Sequence, residues 1–185
     1  MAEPPPQAIT FGESMTFRLS HKLNFKIKAG TLPTLPPEEN PFADWTAHLF
    51  VADRTQYILM SNTKSLYSTV MYGRGITDDG RFIQRALDSL GEYMEDDGQA
   101  FVYRRFIAPA SGTVRFARAL DRSVTGSMND LIAHARSLLA EGELSPFDVG
   151  LRLNDVLLSA LAAGGTEKYG TPREAFKGLA DTLES

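Results

Sequence analysis

The stretch Arg122-Ser123-Val124-Thr125-Gly126-Ser127-Met128-Asn129-Asp130 concentrates the residue types that hold anions. An arginine, three hydroxyls, an amide and a carboxylate fall within these nine positions. A guanidinium grips phosphate or carboxylate as a two-pronged donor, and a helix N-terminus offers free backbone amides to the same charge. Ser127 reads as the N-cap of a helix with Asp130 as its N3 residue, close to a capping box. Met128, Leu131, Ile132, Ala135, Leu138 and Leu139 then recur at helical spacing to about Glu141. Gly126, Ser127 and Asp130 thus have structural work. Arg122, Ser123, Thr125 and Asn129 remain as candidate ligand contacts.

The arginines just upstream extend this candidate site. Between Phe101 and Arg122 the cations are Arg104, Arg105, Arg115, Arg118 and Arg122, against one acid, Asp121. In a chain of net charge −4 this is a local positive patch made only of arginine. It suits an anionic protein, nucleotide or nucleic acid. Pairing with the acids of residues 78–97 is the competing, structural reading. Chemistry on a phosphate would also need a base, and His48 and Asp130 are the candidates. For His48 the alternative is a histidine hydrogen-bonded within a sheet.

Other chemistries find little support. The histidines are His21, His48 and His134, far apart in sequence, and none has a second ligand at metal-binding spacing. The chain has no cysteine, which removes disulfides, thiolate nucleophiles and zinc–thiolate or iron–sulfur sites together. No metal and no cofactor is expected. Gly73-Arg74-Gly75 is too short to be a phosphate loop and reads as a strand exit. Glu95-Asp96-Asp97 reads as a solvated helix end, with charges of the wrong sign for the helix dipole. Lys22, Lys26 and Lys28 read as the solvated face of a small helix.

These residues need a scaffold. At 185 residues, 43% hydrophobic and 23% charged, the chain can build a sizeable core. We expect an extended arm over residues 1–14, which carries Pro4-Pro5-Pro6, and a single domain over 15–185. No apolar run approaches a membrane span and no secretory signal is evident, so a soluble cytoplasmic protein is expected. Residues 16–19 alternate as a short strand, and Ser20 caps a helix with Leu23 and Ile27 inward. Trp45 to Val51 carries apolar groups on both faces, which predicts a central strand. Polar turns at Ala52-Asp53-Arg54-Thr55 and Asn62-Thr63-Lys64-Ser65 link it to strands over 56–61 and 66–72 in an antiparallel meander. Thr77 or Asp78 caps a helix to about Asp97. Residues 99–107 fit a buried strand or a short helix. Val114 and Phe116 mark a further strand. Ser145-Pro146 opens a segment read as helix, although residues 149–153 also alternate as a strand would. Thr171-Pro172 caps a last helix with Ala175, Phe176 and Leu179 inward. The expectation is an α+β fold, with an antiparallel sheet of about four to five strands packed against amphipathic helices.

Trp45-Thr46-Ala47-His48-Leu49 with its hairpin, and the Arg122 to Asp130 motif, resemble an uncharacterised bacterial domain-of-unknown-function family. The resemblance covers Met15 to Leu139, a family-like core, and leaves residues 144–185 as a C-terminal helical extension. It implies a compact bacterial α+β domain and no particular activity. Two functions follow from the residues. The preferred one is a binding module whose arginine patch and loop hold an anionic partner, a protein, a nucleotide or a nucleic acid. The alternative is a metal-independent enzyme acting on a phosphate-containing substrate, with Arg122 and the helix amides stabilising charge.

Overall fold

The computed structural model describes residue 2, residues 14–162 and residues 170–184. The expected arm therefore lies outside the described residues, Ala2 and Ser14 excepted, and Ser14 already belongs to the first strand.

Strand β1 (Ser14–Leu19) runs into helix α1 (His21–Ile27), where the Ser20 hydroxyl accepts the Leu23 amide at 3.3 Å. Leu23 and Ile27 turn inward, and Lys28 ends the helix in the left-handed region at φ 58°. A proline-rich stretch then leads to β2 (Asp44–Ala52). Asp53 and Arg54, at φ 45° and 63°, form a two-residue turn of the kind that matches strand twist. The chain returns as β3 (Thr55–Asn62) and turns again into β4 (Ser68–Tyr72). The turn consumes two more residues than the polar pattern predicts, because Leu66 takes φ 62° and precedes the strand. Asp78 caps α2 (Asp79–Asp96) through the Arg81 amide at 2.8 Å. Residues 99–107 are helical: α3 (Ala100–Val102) passes into a π-helical turn at Tyr103–Ile107 and a 3-10 turn at Ala108–Gly112. Strand β5 (Thr113–Ala117) follows, then α4 (Arg122–Ala140), α5 (Pro146–Leu153) and α6 (Pro172–Glu184). Helix therefore wins at 146–153, where Ser145 caps it.

Among the described residues five strands form one sheet in the order β4-β3-β2-β1-β5. β2, β3 and β4 make the expected antiparallel meander, with β2 central. The sheet as a whole is mixed, which corrects the expectation of an antiparallel one: β1 pairs in parallel with both β2 and β5. The cause lies in the connections. Short polar turns reverse the chain, but α1 with its proline-rich return, and α2 with its following turns, carry the chain back to the end it left.

Each sheet face carries its own core. Phe17, Trp45, Ile58 and Met71 pack with Phe82 and Leu90 of α2 and Phe176 of α6 on one side. Phe50, Leu59 and Val70 pack with Met128 and Leu131 of α4 and Leu153 of α5 on the other. Burying one such side chain contributes about 1.5–3 kcal/mol. Two polar clusters stitch the layers. Arg18, 1% exposed, meets Asp44 through two hydrogen bonds of 2.9 and 2.8 Å. Asp44 also accepts from Thr63 at 2.7 Å and the Glu38 amide at 3.1 Å. In the second cluster Asp97 accepts from Tyr67 and Arg173, and Arg173 also donates to Asp155 at 3.0 Å. This explains Asp97 at a helix end that disfavours acids: its charge is balanced by α6, a tertiary partner. Burial would lower the Arg173 pKa, but its bonds to Asp155 and Asp97 outweigh this and raise it. Burial, then the bond to Asp97, pushes the Tyr67 hydroxyl far above its ordinary range.

Candidate functional site

The Arg122 to Asp130 stretch is helix, not an entry loop. The N-cap of α4 is Asp121, whose carboxylate accepts the Val124 amide at 2.9 Å. Ser127 and Asp130 therefore lie inside the helix, and Ser127 is buried. The apolar spacing accounts for the earlier start: Val124 precedes Met128 by one helical step, so the inward stripe begins before Ser127. Gly126 faces open space.

Helix geometry sorts the candidate residues. At about 100° per residue, Arg122, Thr125 and Asn129 share a sector of roughly 60°, and Arg136 extends the same flank. Arg122 and Asn129 are exposed, while the Thr125 hydroxyl is turned back onto the Asp121 carbonyl at 3.2 Å. Ser123 lies on the other flank with Asp130 and His134. The upstream arginines are dispersed. Arg115 pairs with Glu38 at 2.6 Å, not with the acids of residues 78–97. Arg118 donates to the Leu32 carbonyl at 3.0 Å. Arg104 and Arg105 sit on the π-helical turn, where the Arg105 guanidinium stands 5.3 Å from the Phe106 ring centre.

Three clefts border α4. The first, of about 430 Å³, lies at its N-terminus, with Asp121 and Val124 facing Leu179 and Leu183 of α6. Its carboxylates are Glu38, Glu39, Asp44 and Asp121, with Lys64 as the one lining cation. The cap carboxylate and this acidic wall disfavour an anion at the helix end where the sequence motif suggested one. The second, of about 390 Å³, gathers Asp130, His134, Ser137 and Ser159. Hydrogen bonds join none of these side chains to one another among the described residues.

The third is a groove of about 660 Å³ between α1 and α4. Leu49, Phe50 and Val51 of β2 form its floor, with Gln56 of β3. Lys22, Phe25 and Lys26 of α1 wall one side and Arg136 of α4 the other. No aspartate or glutamate lines it. Lys26 is anchored on the Gln56 side-chain oxygen at 2.7 Å, and Arg136 on the Val51 carbonyl at 3.0 Å through Nε. Each bond uses one donor and leaves the rest of the cationic head free among the described residues. Phe25 is 82% exposed, because its helix turns Leu23 and Ile27 inward instead. The lysines were legible in the sequence as a helix face. The arginine that completes the groove comes from an element far along the chain.

His48 is buried in β2 and lines none of these clefts. Burial lowers its pKa, which keeps the ring neutral near pH 7. Its side chain makes no hydrogen bond among the described residues, so the expected sheet partner is absent there. Among the described residues no group of three or more histidine and acidic side chains could hold a metal ion. Nor is any described helix long and apolar enough to cross a membrane.

No curated protein matches the chain. A family model does, over residues 16–175, and so reaches past the two motifs through α5 into α6. That match spans most of the chain, and the chain belongs to the family it describes, a domain of unknown function (DUF6933).

Proposed function

We propose that the protein is a binding module that holds an anionic partner along the groove between α1 and α4. One observation carries this reading: Lys22, Lys26 and Arg136 line one groove together with the exposed Phe25, and no carboxylate lines it. The chain has net charge −4, so attraction of an anion has to be local. Arg122, Thr125 and Asn129 share the Arg136 flank of α4, but Arg122 stands about 20 Å along the helix from Arg136 and none of the three lines the groove. Arg104, Arg105, Arg115, Arg118 and Ser123 do not line the groove, and Arg115 is neutralised by Glu38. The enzyme reading lacks support of this kind, since His48 is buried and Asp130 faces away from the Arg122 flank.

Thermal unfolding with inorganic polyphosphate tests the proposal. A ligand at about 100 times its dissociation constant stabilises by about 2.7 kcal/mol. For a domain of this size that raises Tm by about 5–10 °C. The rise disappears in the Lys22→Glu/Lys26→Glu variant. A rise that survives in that variant places the anion elsewhere and refutes the groove.

A further inference from the structure

We infer that the occupant of the groove is single-stranded nucleic acid, with a base stacked on Phe25 and phosphates on Lys22, Lys26 and Arg136. This rests on the anion-binding reading above and specifies the chemical class of the anion.

The argument starts from Phe25. Phe25, 82% exposed, and Val51, 47% exposed, line the same groove, so the ring belongs to an apolar patch and is not a single scattered side chain. On α1 Lys22 lies three positions before it, on the same helix face, while Lys26 follows it by one and turns its ammonium to Gln56, so the ring has cations in the same groove. A flat apolar face between positive charges matches an unpaired base between backbone phosphates. Duplex DNA or RNA offers the phosphates but hides the base faces. A free inorganic anion leaves the ring uncovered.

The rest of the groove fits the same unit. Its volume, about 660 Å³, suits one or two nucleotides. The floor is held firm, since Phe50 stacks on Tyr57 at 5.6 Å and Tyr57 on Tyr72 at 5.4 Å. Arg136 is fixed by its Nε bond, which leaves both terminal nitrogens to fork onto a phosphate. Gln56 gives its oxygen to Lys26 and keeps its amide nitrogen as a donor toward a base edge.

The test is fluorescence anisotropy with a labelled single-stranded oligothymidylate of about 15 nucleotides at low salt. Stacking on one ring makes Phe25→Ala weaken binding by roughly tenfold, and Phe25→Trp restore it. Phe25→Ala weakens polyphosphate, which has no base to stack, far less than it weakens oligothymidylate. Phe25 is exposed, so neither variant disturbs the core. If Phe25→Ala leaves oligothymidylate binding unchanged while Lys22→Glu/Lys26→Glu removes it, the anion reading stands and the nucleic-acid inference falls. The inference also falls if a polyglutamate peptide binds more tightly than the oligonucleotide, which makes the occupant an acidic protein segment. It falls again if the matched duplex or thymidine monophosphate binds equally well. If no polyanion binds, both readings fall together.

Discussion

Replacing Asp121 with alanine removes the carboxylate that holds the Val124 amide at 2.9 Å and frays the first turn of α4. Loss of an N-cap costs about 1 kcal/mol, and loss of a negative charge at the positive end of the helix dipole adds a few tenths. For a domain of this size that lowers Tm by about 2–5 °C. Two companion variants locate the start of the helix. Ser127→Ala is close to neutral, because the Ser127 hydroxyl caps nothing and alanine suits a helix interior. Gly126→Ala stabilises by about 0.5–1 kcal/mol, since the added methyl meets open space and the unfolded chain loses freedom. Urea denaturation of the three variants, with the slope checked for constancy, reads all three effects. A loss of about 1 kcal/mol at Ser127 with none at Asp121 would mean that the helix begins where the capping-box pattern suggests, and the geometry of the Arg122 flank would be wrong.

Three further outcomes follow from the polar clusters and the buried imidazole. Asp44→Ala strands the 1%-exposed Arg18 without its carboxylate and costs about 3–5 kcal/mol in denaturant unfolding. Arg173→Ala removes the charged bonds that tie α6 to α2 and lowers stability by about 2 kcal/mol, with α6 amides exchanging hydrogen faster than those of β2. His48 has a folded pKa below that of the unfolded chain, so the unfolded state binds the proton more readily. Stability is therefore full above about pH 6.5, the ordinary imidazole value, and falls as the pH drops below it; His48→Gln flattens that fall in a pH series of melts.

What could be read from the chain depended on whether a feature was local. β2 was legible because Trp45, Ala47, Phe50 and Ala52 load both faces of one strand, which only a central position allows. The two hairpins were legible from their polar turns. The parallel pairing of β1 was not, because it depends on where α1 and the proline-rich return deliver the chain, and no local pattern records that. At α4 two good caps, Asp121 and Ser127, lie close together, and Val124 packing into the core decides between them. Asp97 looked misplaced until Arg173 arrived from α6. The arginine cluster read from composition is dispersed by the fold. The groove brings Arg136 to Lys22 and Lys26, from which sequence distance keeps it apart.

The groove's role as an anion site is tested most directly by the salt dependence of polyphosphate affinity. For a flexible polyanion, neutralising three charges gives log K against log salt a slope of about −2. The Lys22→Glu/Lys26→Glu/Arg136→Glu variant, folded and of unchanged Tm, is expected to show no measurable binding at low salt. Equal affinity and equal slope in the wild type and this variant would contradict the account.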